Sequence, residues 1–378
     1  MGTAPASAPA LAAAVDALPL VDHHVHGAST ADLDADALAA GLTESPFPPA
    51  PGTSFLDSQL GFAVRRWCAP VLDLPAHVDA AAYVARRREL GPAEVAHRLL
   101  RASGIGHFLV DTGYRAGELL DPAGLAAAAG ARAAEVVRLE AVAEEMAATG
   151  VGAGGFAAAF ADALHARATG AVGLKTVVAY RYGLDFDPDP PTPVQVRAAA
   201  GDWLRAGGRL TDPVLLRHLI WTAVGTGLPL QFHAGLGDPD LTLHRTDPSL
   251  LTEFLRRVRV PVMLLHCYPY HRAAGYLAAV FPHVHLDVGL AVTMTGARSR
   301  AVVAEALELA PFGKVLFSSD AFGPPELHHL GALLWRRAVT AVLGEWVAAG
   351  DWAEADAVRV AELVGAGNAR RVYRLEEP

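Results

Sequence analysis

The chain has 378 residues, 52% hydrophobic and 19% charged, which excludes a disordered chain and leaves ample material for a large core. Its 31 basic and 40 acidic side chains give a net charge of −9 with no basic block, so the electrostatic footprint of a nucleic-acid binder is missing. Two cysteines, Cys68 and Cys267, cannot build a disulfide framework. No uninterrupted apolar run reaches the roughly 18 residues of a membrane span, and no basic segment opens the N-terminus, so the expected location is cytoplasmic.

Residues 1–17 are rich in Ala and Pro and are expected to form a disordered lead-in or, over 8–17, a frayed helix. The first strand is expected over 18–24 (LPLVDHH). Residues 27–103 then hold a Pro-rich loop at 45–54 and helical segments near 55–66, 76–88 and 92–102, without a strand. From there, short runs rich in Val and Leu recur at 104–111, 134–140, 171–178, 228–233, 260–266, 284–288 and 315–320. They are apolar without alternation, as strands buried on both faces of a parallel sheet are. Amphipathic stretches such as 212–225, 248–258 and 298–310 separate them, and helices over 326–343 and 351–364 follow. Strands alternating with helices predict an α/β fold, and eight strands are the count of a (β/α)8 TIM-like barrel. Residues 18–378 are therefore expected to be one barrel domain, with 27–103 a helical insertion after strand 1 that forms a lid. The alternative, a small independent domain, would have little to pack on.

The ends of these strands carry the chemistry. Val21-Asp22-His23-His24-Val25-His26 closes strand 1, and residues two apart on a strand share a side, so His24 and His26 project together. Strand 5 ends in His233, strand 6 in His266 and strand 8 in Asp320, while strand 4 carries Lys175. One barrel face offering several imidazoles and a carboxylate suits zinc, iron or manganese. Lysine occurs only at Lys175 and Lys314, so arginine has replaced it elsewhere. Tyr180 and Arg181 follow strand 4 and are candidate substrate-binding residues, Arg181 as a fork for a carboxylate or else as a surface arginine. By parity Asp22 is a candidate partner behind the ligating histidines. His23, His283 and His285 read as structural, Cys267 as packing, Glu326 as a helix-start carboxylate, and His328 and His329 as helix-surface residues.

VDHHVH, QFHAG, LLHCYPYHRAAGYLAAVFPHVHLDVG, LFSSDAFGPPE and GNARRVYRL occur in the order of the amidohydrolase superfamily. The sequence resembles its amidohydrolase-related branch, and especially the hydrolase-like domain fused in some proteins to a glutamine-synthetase-like domain. The resemblance covers nearly the whole chain and is weakest over 27–103. It implies metal ligation by His24, His26 and His233, and a catalytic role for Asp320, which touches the metal and takes a proton from the attacking water. For His266 it implies either a ligand to a second metal or a catalytic side chain. It places Lys175 where two-metal members carry a bridging carbamate; a buried ammonium is the other reading of that residue.

These features lead to a metal-dependent hydrolase of C–N amide bonds, with one or two divalent ions, zinc first. A small-molecule substrate is expected, a γ-glutamyl amide or an N-acyl amino acid. The alternatives are a single-metal non-oxidative decarboxylase on the same barrel and a non-catalytic binding partner. Neither nucleic acid nor membrane is expected as a partner; a homo-oligomer and a functional pairing with a separate glutamine-synthetase-like ligase are.

Overall fold

The computed structural model describes residues 9–376. Seven parallel strands follow one another in a single sheet in chain order: β1 (Leu20–Val25), β2 (Ile105–Asp111), β3 (Arg132–Arg138), β4 (Gly173–Thr176), β5 (Leu230–Ala234), β6 (Val262–His266) and β7 (Val284–Leu286). Helices separate successive strands, as parallel pairing requires. Every residue of β1, β4, β5, β6 and β7 is buried, which explains why the sequence shows continuous apolar runs there. The expected third strand sits slightly early: residues 139–147 are helical (Leu139–Ala147), and Glu140 in that helix accepts from Thr176 Oγ1 and the Val177 amide at the end of β4.

The expected eighth strand, 315–320, is not a regular strand, although it occupies that place in the barrel. It makes one bridge, Leu286 to Val315, and the Leu316 amide donates to the Leu286 carbonyl. On its other side His23 N donates to Phe317 O, Asp320 N to His24 O and His26 N to Ala321 O, so the segment lies between β7 and β1 and closes the ring. Side chains replace the missing ladder. The Asp22 carboxylate accepts from Ser319 N at 2.9 Å and Ser319 Oγ at 2.5 Å, and Asp287 accepts from Ser318 Oγ at 2.9 Å. Asp22 thus holds the segment that delivers Asp320; it is not hydrogen-bonded to the imidazoles it was expected to support.

Over its described part the lead-in is helical, within the span 8–17 where a helix was one of the two expectations. The helix Pro9–Ala17 buries Leu11 and Val15, one turn apart, against Pro325–Ala349 and Glu354–Glu362. Glu354 Oε1 accepts from its Ala10 amide. The rest of the expected lead-in, 1–8, lies outside the described residues.

The stretch 27–103 divides into two parts. Residues 29–46 border the central cavity. The helix Pro92–Ala102 instead packs on Pro122–Ala129 and Pro325–Ala349, in the outer layer of the barrel. Ala80–Leu90 carries Tyr83 and Arg87 inward to the fully buried Glu326, whose Oε1 accepts from Tyr83 Oη at 2.8 Å and Arg87 Nε at 2.7 Å. Glu326 stands in the first turn of its helix as expected, but its carboxylate is held by these side chains. His328 and His329, expected on the helix surface, are buried, because helices and a π-turn cover Pro325–Ala349 on several sides. Lys314, the second lysine, caps a helix end: its Nζ donates to the carbonyls of Ala278 and Phe281. No described helix is long and apolar enough to cross a membrane.

Candidate metal centre

The C-terminal ends of the strands open into a cavity of about 580 Å³, within the usual range for small-molecule sites. His26, Lys175, His233, His266 and Asp320 line its floor, with Tyr180 and Arg181 on its wall. His24 stands just behind, fully buried. The residues singled out from the sequence therefore converge, although they come from five strand ends.

Asp320 lies at the centre. Its Oδ1 is 3.1 Å from His24 Nε2 and 3.8 Å from His26 Nε2, and its Oδ2 is 3.3 Å from His266 Nδ1. One donor atom each from His24, His26 and Asp320 falls within 4.8 Å of the others, a spacing that one ion can bridge. The His233 ring is 4.7 Å from that of His266, centre to centre, and the Tyr180 ring packs on it at 4.3 Å.

Hydrogen bonds fix which nitrogen each imidazole presents. Gln231 Nε2 donates to the His23 carbonyl and to Tyr373 Oη, both at 2.8 Å, so its Oε1 faces His24 Nδ1 at 2.9 Å. That oxygen can only accept, so His24 carries its proton on Nδ1 and turns an unprotonated Nε2 toward Lys175 and Asp320. The Asp111 carbonyl does the same for His26 Nδ1. His233 Nε2 and His266 Nδ1 are buried with no hydrogen-bond partner among the described residues. Burial lowers the pKa of His24, His233 and His266 well below the usual imidazole value and that of His26 to about 3. Neutral imidazoles with an unprotonated nitrogen are the donors a divalent cation requires, so the side chains present fit such an ion.

Two backbone features hold this arrangement. His266 and Asp320 adopt φ of 65° and 48°, in the left-handed region that costs non-glycine residues strain. Asp287 compensates at the first: its Oδ1 accepts from the His266 amide, the Gly289 amide and Ser318 Oγ, while Oδ2 lies 3.0 Å from His23 Nε2. His23 is thus the structural hydrogen-bonder that its parity predicted. After β5, Gly235 turns with φ +81°, and a Cβ there would meet the Tyr268 carbonyl oxygen at 2.3 Å, which explains the glycine in QFHAG.

Lys175 is fully enclosed. Its Nζ is 3.0 Å from His24 Nε2 and 3.8 Å from Asp111 Oδ2. Burial lowers its pKa, and the Asp111 charge opposes that shift. Burial likewise raises Asp320 well above the usual carboxylate range, against the pull of Lys175. Asp111 and Arg138 were not singled out from the sequence. Burial would raise the Asp111 pKa, but Arg138, His26 and Lys175 outweigh it and hold the carboxyl below its usual range. Arg138 Nη2 lies 2.6 Å from Asp111 Oδ2, and Nε contacts both oxygens. The signal was available for Asp111, the polar last residue of the expected strand 104–111; Arg138 ends β3, whereas the expected strand ran on to residue 140.

Residues 21–375 match the amidohydrolase family model. Among curated proteins, Protein fluG of Emericella nidulans is 33% identical over 239 residues, which are 59% of this chain and 27% of that protein, so the chain spans about a quarter of its length. Among solved structures, a protein of Lactobacillus casei ATCC 334 described as a candidate metal-dependent hydrolase superposes with a TM-score of 0.82 at 29% identity, over 96% of this chain and 97% of that one. The uronate isomerase of Bacillus halodurans C-125 shares the fold, with a TM-score of 0.62 at 14% identity over 98% and 96% of the two chains. The matched span takes in every strand end that lines the cavity, and the chain is an enzyme of the amidohydrolase family.

Proposed function

We propose that the protein hydrolyses a C–N amide bond with a divalent ion, zinc first, held by His24, His26, His233 and Asp320, and that His266 ligates or acts beside it. The observation that carries this reading is the set of converging imidazoles, two of them with Nε2 left unprotonated by acceptors at Nδ1. A bound divalent ion lowers the pKa of water from about 16 toward 7 and polarises a carbonyl. The protein's own groups do the rest. Asp320 is positioned to take a proton from the attacking water and return it to the leaving amine. His266 Nδ1, 3.3 Å from Asp320 Oδ2, is placed to steady that carboxyl. Tyr180 and Arg181 line the wall where the acyl chain would lie, with Arg181 receiving a carboxylate. The substrate is a γ-glutamyl amide or an N-acyl amino acid.

Lys175 decides between this reading and a single-metal decarboxylase. A carbamate on Nζ would give a second ion an anionic ligand that arginine cannot supply. An ammonium held by Asp111, 3.8 Å away, leaves room for one ion and favours the lyase. A homo-oligomeric, cytoplasmic enzyme working beside a separate glutamine-synthetase-like ligase completes the proposal. The test is a panel of amides and unsaturated or aromatic acids offered to metal-loaded protein, with released amine and released carbon dioxide measured in parallel. Amine release supports hydrolysis. Carbon dioxide without amine replaces it with the lyase, and neither product from any compound removes both.

A further inference from the structure

Arg138, at the end of β3, carries more donors than its ion pair with Asp111 uses. A guanidinium holds five N–H groups in one plane. The edge formed by Nε and Nη2 faces Asp111, at 2.6–3.2 Å from its carboxylate oxygens. Nη1 has no hydrogen-bond partner among the described residues, and the side chain lines the cavity. The second edge, Nη1 with the remaining N–H of Nη2, is therefore unpaired. A side chain only 13% exposed that keeps such an edge calls for an acceptor from outside the chain.

The loop after β2 is shaped around this guanidinium and ties it to the metal centre. Asp111 Oδ1 also accepts from the Gly113 amide at 3.0 Å, and the Asp111 carbonyl faces His26 Nδ1 at 3.2 Å. One residue thus orients a metal-site imidazole with its main chain and Arg138 with its side chain. Gly113 has no room for a side chain, because a Cβ there would meet Arg138 Cβ at 2.4 Å. The next ring, Tyr114, lies 5.9 Å from the guanidinium carbon and 4.8 Å from the His26 ring, measured to its centre. In the sheet Arg138 pairs in register with Lys175. The unpaired edge is therefore held at the floor of the cavity, one ring away from His26.

We infer that the unpaired edge of Arg138 binds a carboxylate of the substrate at the cavity floor, beside the metal centre. Its parallel N–H groups match the two oxygens of a carboxylate. This rests on the amide-hydrolase reading for the carbonyl on which the metal centre acts. Within that reading it adds to Arg181, on the wall, a deeper residue that selects anionic amides over neutral ones.

The test uses the metal-loaded full chain and two ketones that cannot be hydrolysed: 5-oxohexanoate, and 6-hydroxyhexan-2-one, in which an alcohol replaces the carboxylate. Dissociation constants are measured by calorimetry. A hydrogen bond to a charged group contributes roughly 10–100-fold, so 5-oxohexanoate should bind at least about tenfold tighter than the alcohol. Arg138→Lys keeps a cation beside Asp111 but has no second edge, so the ratio should fall to within about threefold, with metal content and alcohol affinity unchanged. Asp111→Asn leaves that edge in place and removes a competing charge, so it should keep or raise the ratio. If Arg138→Lys does not fold, Arg138→Gln combined with Asp111→Asn takes its place under the same criterion. Equal binding of the two ketones by the parent overturns the inference, as does no binding at millimolar ligand or a ratio that survives in Arg138→Lys. Loss of the ratio in Asp111→Asn as well, or loss of metal in Arg138→Lys, overturns it too, because Arg138 then acts only as a support for Asp111. Amine release from amides is scored separately: the expected ratios in a protein that cleaves no amide retire the hydrolase reading and keep the carboxylate seat.

Discussion

Gln231 has no place in the reacting set, yet its substitution should be felt at the metal. Its amide joins His24 Nδ1, the His23 carbonyl and Tyr373 Oη in one buried network at 2.8–2.9 Å. Gln231→Leu keeps the approximate volume and removes all three hydrogen bonds. Tyr373 Oη retains a contact with His23 Nδ1 at 3.1 Å, so two groups, His24 Nδ1 and the His23 carbonyl, are orphaned. Each buried unsatisfied group costs about 1–3 kcal/mol, which gives roughly 2–6 kcal/mol of lost stability before the added apolar burial offsets part of it. Freed from its acceptor, His24 can carry its proton on Nε2 and block its own lone pair. Loss of such a supporting partner typically lowers metal affinity by about 10–100-fold. Competition with a chromophoric chelator reads the affinity, and urea unfolding reads the stability. Gln231→Glu supplies an acceptor to His24 and should retain affinity within a few-fold, while its second oxygen faces the His23 carbonyl and destabilises the fold. Gln231→Leu binding metal within twofold of the parent would refute the argument that this amide sets the His24 tautomer.

Other outcomes follow from the same geometry. Lys175→Ala and Lys175→Arg should both lose activity and at least one metal ion, with added short carboxylic acids partly restoring Lys175→Ala alone; full metal content and turnover in Lys175→Ala favours the single-ion lyase. His328 is buried with both ring nitrogens lacking a hydrogen-bond partner among the described residues, and burial lowers its pKa to about 3. A folded pKa below the unfolded value of about 6.5 means its contribution to stability is full above that pH and is lost as pH falls toward 3. His328→Leu should therefore gain stability relative to the parent by up to about 1.4 kcal/mol per pH unit below 6.5 in denaturant titrations, and a pH-independent difference would contradict this. Substitutions at Leu33 or Pro46, on the cavity rim, should change KM and selectivity and leave metal content unchanged; the converse would remove 29–46 from the substrate path.

The parts legible in the sequence are those set by one strand at a time. Apolar runs located seven strands within a few residues; polar residues at run ends marked His24, His233, His266 and Asp320, two-residue spacing added His26, and the scarcity of lysine marked Lys175. Misreadings arose where several elements meet. The segment at 315–320 has strand-like composition, but the Asp22 and Asp287 carboxylates and the left-handed Asp320 replace its ladder. Two adjacent histidines at 328–329 look like a polar helix face until helices from both ends of the chain are packed over them. The helix Pro92–Ala102 belongs to the barrel's outer layer, which its place inside a strandless stretch concealed. Asp111 and Arg138 end β2 and β3, and Arg138 was concealed because its apolar run was carried on to residue 140.

The central claim is that activity resides in a divalent ion held at the strand ends, and a metal titration of turnover addresses it most directly. Protein stripped with a chelator should release no amine from an amide that the metal-loaded enzyme cleaves. Activity should return in proportion to added zinc, manganese or iron and saturate at one or two equivalents per chain. His24→Ala combined with His26→Ala should abolish both the uptake and the recovery. Full turnover by stripped protein containing no detectable metal would contradict the account.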